Sequence, residues 1–219
     1  MNGIRRDCLR SQIYRELLRR IVEGKYQPGD RLIELSIARE FDTSQAPVRE
    51  ALRELEALRV VETEAYRGTR VREVKADELI EVSEVRGVLE EAAAIHAAVG
   101  FKGKTEALQT EASALNAAAA SGDPDAYSRH NAMFHRLIVQ AGGNRVLERV
   151  WESLMLEART RLGLKAFKFD LNAIAATHQP IVDAFHQGDG ALAGTLLREH
   201  AGIMLSNLAE PSSLPLTNP

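Results

Sequence analysis

Residues Thr43–Leu58 read TSQAPVREALRELEAL. Val48, Leu52 and Leu55 recur at steps of four and three, so the stretch predicts a short amphipathic helix. Ser44 stands where an N-cap belongs. Pro47 falls in the first turn, where a missing N–H removes no helical bond. The leading edge is polar, and Arg49 and Arg53 turn to one side. The neighbouring segments give that edge a context. Leu9–Gly24 carries Leu9, Ile13, Leu17 and Ile21 at every fourth position, and Pro28-Gly29-Asp30 marks the turn after it. Ile33–Phe41 predicts a second short helix, with Leu35, Ala38 and Phe41 as its buried face. Beyond Arg59 the period shifts: Val60–Thr63 and Thr69–Val74 predict a hairpin with Gly68 at or near its turn. Three short helices followed by a hairpin make a winged helix-turn-helix.

In such a unit the second helix of the pair enters the major groove of DNA with its first residues facing base edges. That placement gives the polar edge Ser44, Gln45 and Ala46 a purpose. Ser44 has a hydroxyl for a phosphate, Gln45 can pair bidentately with adenine, and Arg49 reaches guanine or a phosphate. Arg31, Arg39 and Arg53, with Arg67, Gly68 and Arg70 of the wing, supply backbone contacts that fix position and make affinity salt-dependent. The plainer alternative is a solvated charged face. A run of helix, PGD turn, helix, basic-edged helix and hairpin within 75 residues favours the DNA-reading unit.

The remaining chain is of another kind. Residues 1–75 hold 16 Lys/Arg against 13 Asp/Glu, whereas residues 76–219 hold 12 against 18, so a mildly basic front precedes an acidic rear. From Asp77 onward apolar periodicity predicts about six helices: 77–99, 104–120, 124–141, 145–163, 171–187 and 190–208. The expected organisation is therefore a DNA-binding domain over 1–75, an antiparallel all-α bundle over 76–209, and a Pro-bearing disordered tail over 210–219. No apolar run approaches the ~20 residues of a membrane span, and the N-terminus has no signal-peptide core. Cys8 is the only cysteine, so the expected location is a reducing cytoplasm.

The apolar stripes of the rear helices are interrupted. One carries Leu79, Val82, Arg86, Leu89, Ala93 and His96; a second Tyr127, Asn131, Phe134, His135 and Ile138. A third carries Ile174, His178, Ile181 and Phe185, and a fourth Ala193, Leu196, His200 and Ile203. Buried polar groups cost free energy unless paired, so polar groups mid-stripe on several helices suggest one shared pocket. Asn131 and His135 project from one face, and His178 and His200 come from two other helices. Three imidazoles and one oxygen donor suit a divalent metal such as zinc, nickel or manganese. Arg86 is a natural bidentate partner for the carboxylate of a small effector, with His96 beside it. The competing readings are satisfied core histidines and an Arg86 paired internally with Glu90. His130 and His186 fall off the stripes and belong to the surface.

The run GKYQPGDRLIELSIAREFDTSQAPVREALRELEAL resembles the GntR family of bacterial transcription regulators, through the turn at Gly24–Leu32, the Leu35–Phe41 helix and Pro47–Leu52. That family often has Arg at the position of Gln45 and usually Gly at that of Arg59. Residues 77–208 are similar to the FCD ligand-binding domain of its FadR branch, with a length closer to the VanR-type variant. The resemblance rests on Glu84-Val85-Arg86, Leu89-Glu90, Phe134-His135, Gly143-Asn144, His178, Ile181, Arg198 and His200. It implies a metal held by Asn131, His135, His178 and His200, Asn131 standing where Asp is commoner, and an organic acid near Arg86. The expectation is a dimeric, effector-responsive repressor that reads a near-palindromic operator. A metal-sensing regulator, a structural metal clamp and, remotely, a zinc hydrolase are the alternatives; no general base lies on a stripe beside the ligands.

Overall fold

The computed structural model of the protein describes residues 9–64, 66–73 and 75–209. Cys8 and the expected disordered tail over 210–219 lie outside the described residues. The chain divides into two compact units, Met1–Val74 and Lys75–Pro219.

In the first unit, α1 (Leu9–Val22), α2 (Glu34–Glu40) and α3 (Gln45–Ala57) surround a core of Ile13, Leu17, Ile21, Ile37, Val48, Leu52 and Leu55. The buried face of α2 is Ile37 and Ala38; Leu35 is exposed and Phe41 half-buried, which corrects the expected stripe. On a seven-residue helix one position of phase decides the face, and Ile37 lies on the side turned to α3 and α1. Both α2 and α3 end in the same way. Asp42 and Arg59 adopt positive φ (48° and 55°), and the following amides bond back to Ala38 and Leu55. This Schellman closure satisfies the last carbonyls and turns the chain sharply.

The wing has three strands rather than two. β2 (Val61–Glu64) pairs antiparallel with β3 (Gly68–Val71), and β3 also pairs with β1 (Arg31–Leu32). Two residues are too short to show a strand period, which is why β1 was illegible in the sequence. Val61 stands opposite Val71, and Thr63 opposite Thr69 with their hydroxyls 3.1 Å apart. Gly68 (φ 83°) begins β3 directly after the exposed tip residues Tyr66 and Arg67.

The second unit is all helical: α4 (Ala76–Phe101), α5 (Glu106–Ser121), α6 (Pro124–Ala141), α7 (Arg145–Ser153), α8 (Leu156–Ala166), α9 (Leu171–Ala176), α10 (His178–Gln187) and α11 (Gly190–Ala209). α4 packs along α11, and α5 and α4 pack on α6. The close approach is set by small residues: a Cβ on Gly142 would stand 3.0 Å from the Ala93 carbonyl oxygen. Phe134, Ile138, Ile181, Phe185, Leu108 and Leu197 fill the core between α4, α5, α6, α10 and α11. Asp123 and Asn144 cap α6 and α7 by accepting hydrogen bonds from first-turn amides.

Among the described residues this unit has eight helices, not six, because two expected segments are broken. The 145–163 segment stops at Leu154-Met155, where Met155 turns left-handed (φ 51°). The 171–187 segment breaks at Thr177, one residue before His178. Pro180 has no N–H to offer the carbonyl four residues earlier, so the hydrogen-bond ladder cannot run through this point.

Candidate metal centre and DNA-reading edge

Four helices bring the interrupted stripes of the second unit together. His135 comes from the middle of α6, His178 is the first residue of α10, and His200 comes from α11. All three are essentially inaccessible, and one ring nitrogen from each lies within 4.8 Å of the other two. The His178 and His200 ring centroids are 4.4 Å apart, those of His135 and His200 5.1 Å. Phe134 closes one side, edge-on to His178 at 4.9 Å.

Two of the three imidazoles are held through a hydrogen bond at Nδ1. His178 Nδ1–H donates to the Ala175 carbonyl at 3.1 Å. His200 Nδ1–H donates to the Thr177 hydroxyl at 2.7 Å, and that hydroxyl donates in turn to the Ile174 carbonyl. The break between α9 and α10 thus supplies the group that orients His200. His135 Nδ1 stands 3.0 Å from Glu90 Oε2, close but not aligned as a hydrogen bond. With the proton on Nδ1, the Nε2 lone pair is left for a ligand. The Nε2 atoms of His135 and His178 are buried without a hydrogen-bond partner.

Burial pushes all three histidines below their ordinary pKa, His178 down to about 3, with the neighbouring imidazoles and Arg86 adding to the effect for His178 and His200. They are therefore neutral, the form that binds metal. The donor set fits a borderline divalent cation: neutral nitrogen ligands, converging, buried and pre-oriented, with orphaned lone pairs. Asn131 is buried one turn before His135 on α6.

Arg86 and Glu90 form the anchor beneath. Arg86 is 2% exposed and Glu90 0%, their Nε and Oε2 atoms 3.6 Å apart. The Trp151 indole donates to Glu90 Oε1 at 2.9 Å. Burial opposes ionisation of Glu90, but His135, Arg86 and Trp151 together hold its carboxyl below the ordinary value, so it is charged. Arg86 is thus paired internally, as one sequence reading allowed, yet its Nε and Nη2 still lack hydrogen bonds, as does the buried Tyr127 hydroxyl. Glu90, Trp151, Tyr127 and Thr177 complete the site, and none stood among the expected site residues. Of these, Glu90, four residues after Arg86, and Tyr127, on the stripe of Asn131 and His135, carried a legible signal. His96 does not join them: it is exposed on α4. The buried face there is Ala93, Ala94, Ala97 and Ala98, and their small size hid the phase of the stripe. His130, half-buried, stands 2.8 Å from Glu111, and His186 is exposed.

In the first unit, Ser44, Gln45, Ala46, Arg49 and Arg53 are all exposed along the start and one side of α3. Ser44 occupies the N-cap position without a side-chain capping bond, which leaves its hydroxyl unused by the helix. Arg49 Nη2 lies 2.9 Å from Glu34 Oε2 on α2. Arg31, Arg39 and Gly68 are exposed, Arg67 is exposed and paired with Glu64 at 2.9 Å, and Arg70 is half-buried. Tyr66, wholly exposed beside Arg67, is a tip residue that the sequence pattern did not single out.

Comparison with known proteins gives both units counterparts. Residues 9–71 match the family described as bacterial regulatory proteins, gntR family, and residues 81–202 match the FCD domain. The chain is 34% identical over 200 residues to the "Probable D-xylose utilization operon transcriptional repressor" of Paenarthrobacter nicotinovorans, covering 91% of this chain and 88% of that one. It is 27% identical over 186 residues to the gluconate operon transcriptional repressor of Bacillus subtilis, covering 81% and 75%. The fold is shared with a crystal structure of a GntR transcriptional regulator from Rhodococcus sp. RHA1, at a TM-score of 0.75 and 23% identity over 91% of this chain and 96% of that one.

Proposed function

The chain belongs to the GntR family of bacterial regulatory proteins and carries an FCD domain, and from that premise we propose that it is a repressor released from its operator by a small carboxylate bound at a metal centre. It is a DNA-binding regulator of transcription rather than an enzyme. The observation that carries the finer reading is the histidine cluster, whose His135 and His178 Nε2 atoms are buried with no partner. In the proposal His135, His178 and His200 hold a divalent ion, with Asn131 as the oxygen donor. The ion, once bound, supplies open coordination positions for an anion. Arg86 and Tyr127 offer donors to the same guest. Two relatives named for D-xylose and gluconate operons support an effector drawn from carbohydrate breakdown.

The reading edge is Ser44, Gln45, Ala46 and Arg49, with Arg31, Arg39, Arg53, Arg67 and Gly68 on the phosphates. Arg49 leaves Glu34 for DNA. The active form is a homodimer on a two-fold operator, because a helix-turn-helix protein reads paired half-sites through its own symmetry. The effector acts only through its different affinities for two arrangements of the dimer. Such a regulator works in the cytoplasm, where the chromosome is. Among the described residues no helix is long and apolar enough to cross a membrane.

Operator binding measured by fluorescence anisotropy, with and without a panel of small carboxylates and with chelator, checks the reading. The metal-loaded chain releases the operator on addition of one or more acids, and His178→Ala does not. Release governed by the metal alone, with no response to any acid, would replace it by a metal-sensing regulator.

A further inference from the structure

The Glu90 carboxylate is bonded at one oxygen only. Oε1 accepts from the Trp151 indole at 2.9 Å. Oε2 stands 3.0 Å from His135 Nδ1 and 3.6 Å from Arg86 Nε, and is aligned with neither. Oε2, His135 Nδ1, Arg86 Nε and Arg86 Nη2 are all buried without a hydrogen bond. Buried polar atoms are ordinarily partnered, because no water replaces a missing partner. One acceptor thus serves two competing donors: a ring from α6, and a guanidinium one turn back on its own helix, α4.

Charge gives the competition a direction. Asn131, His135, His178 and His200 bring no negative charge to an ion. Among the described residues the buried carboxylates are Glu78 and Glu90, and Glu78 is bonded to Arg159 at 2.8 Å. Glu90 is therefore the counter-charge that reaches the ring cluster. A cation on His135 Nε2 draws electron density from the ring and strengthens Nδ1–H as a donor. A carboxylate that accepts from Nδ1–H then fixes the ring and raises metal affinity. The same exchange takes Oε2 away from Arg86. Two buried N–H groups of Arg86 are left without an anion, and a carboxylate is the group that matches a guanidinium fork.

We propose that Glu90 couples the two guests of this pocket: it pairs with Arg86 in the metal-free protein and with His135 once the histidines hold an ion, so that metal binding opens Arg86 to a carboxylate. Glu90 is a positioning residue and touches neither guest. The inference rests on the metal-centre reading above and adds to it the order of binding and its cause. Linkage makes the effect mutual, so the carboxylate tightens the metal by the same factor.

The full chain, stripped with chelator, is titrated with zinc chloride by calorimetry, with and without sodium acetate as the smallest carboxylate probe. In the parent protein acetate tightens zinc about 5-fold or more. Side-chain proton–nitrogen correlation spectra follow the exchange of partners, the Arg86 Nε–H being assigned by its loss in Arg86→Lys. Zinc alone shifts this resonance, and acetate then titrates it at lower concentration. Glu90→Gln moves the two affinities in opposite directions. Zinc weakens about 10-fold or more, because the charged acceptor is gone. Acetate binds the metal-free variant more tightly than the metal-free parent, because Arg86 has lost its internal anion. A residue that only holds the fold would weaken both, and that result overturns the proposal. Where Glu90→Gln does not fold, the parent spectra decide. Zinc binding that leaves the Arg86 resonance in place and the acetate affinity unchanged removes the coupling while the metal centre stands. A chain that takes up no zinc overturns the metal-centre reading itself, and the coupling with it.

Discussion

Glu90 has the Arg86 guanidinium, the Trp151 indole and the His135 ring as its neighbours, and no access to water. A buried ion pair contributes little net stability, but removing one partner leaves the other uncompensated. Glu90→Gln is therefore expected to lower unfolding stability by about 3–5 kcal/mol. Chemical denaturation followed by fluorescence of Trp151, the sole tryptophan, measures it. The histidines set a second expectation at this scale. Their folded pKa values lie below the ~6.5 of the unfolded chain, so the unfolded state binds more protons as acid is added. Stability of the metal-free protein is complete above about pH 6.5 and falls with pH below it, until the folded rings also protonate, near pH 3 for His178. The slope is about 1.4 kcal/mol per pH unit for each histidine. Urea titrations between pH 7 and 5 read it, and a flat profile would show that the rings are not buried neutral.

Among the elements, the ends carry as much information as the middles. Arg59 sits left-handed at the C-terminal closure of α3, its own amide donating to the Glu56 carbonyl and that of Val60 to the Leu55 carbonyl. Its side chain is exposed, so Arg59→Gly removes conformational strain with little loss of packing. The expected gain is about 1 kcal/mol, seen as a rise in the melting temperature of the first unit. Gly68 and the α3 stripe were legible because turn chemistry and period point the same way there. The break at Thr177 is marked in the sequence only by Pro180 three residues on, since the residues on either side keep helical spacing. The left-handed Met155 left no trace, because methionine is not a turn former. Alanine defeated the phase of α4: Ala92, Ala93, Ala94, Ala97 and Ala98 look alike in a sequence, yet Ala92 faces out and the others in.

At the scale of the whole molecule, a basic reading edge and a buried nitrogen-rich pocket give separable responses. Arg49→Ala should weaken operator binding and reduce by about one the slope of log affinity against log salt, if that side chain meets a phosphate. Glu34→Gln, which frees Arg49 from its ion pair, should strengthen binding to any DNA. Anisotropy titrations across a salt series measure both, and an unchanged affinity after Arg49→Ala would remove α3 from the interface. Chelation should lower the stability of the second unit by about 4 kcal/mol where the free ion stood at a thousand times its dissociation constant, read as a fall in its melting temperature. The two-part organisation was visible in the sequence through the change of period after residue 75. The cluster of rings was visible through polar residues on apolar stripes, although Trp151 and Thr177 came from positions with no stripe to interrupt.

The three imidazoles also have an order in time. The helices and wing of the first unit are complete by residue 73, whereas the last ring of the cluster is residue 200. Domains fold in turn as the ribosome extends the chain. Each newly made copy therefore completes its first unit before the three rings of the second have met.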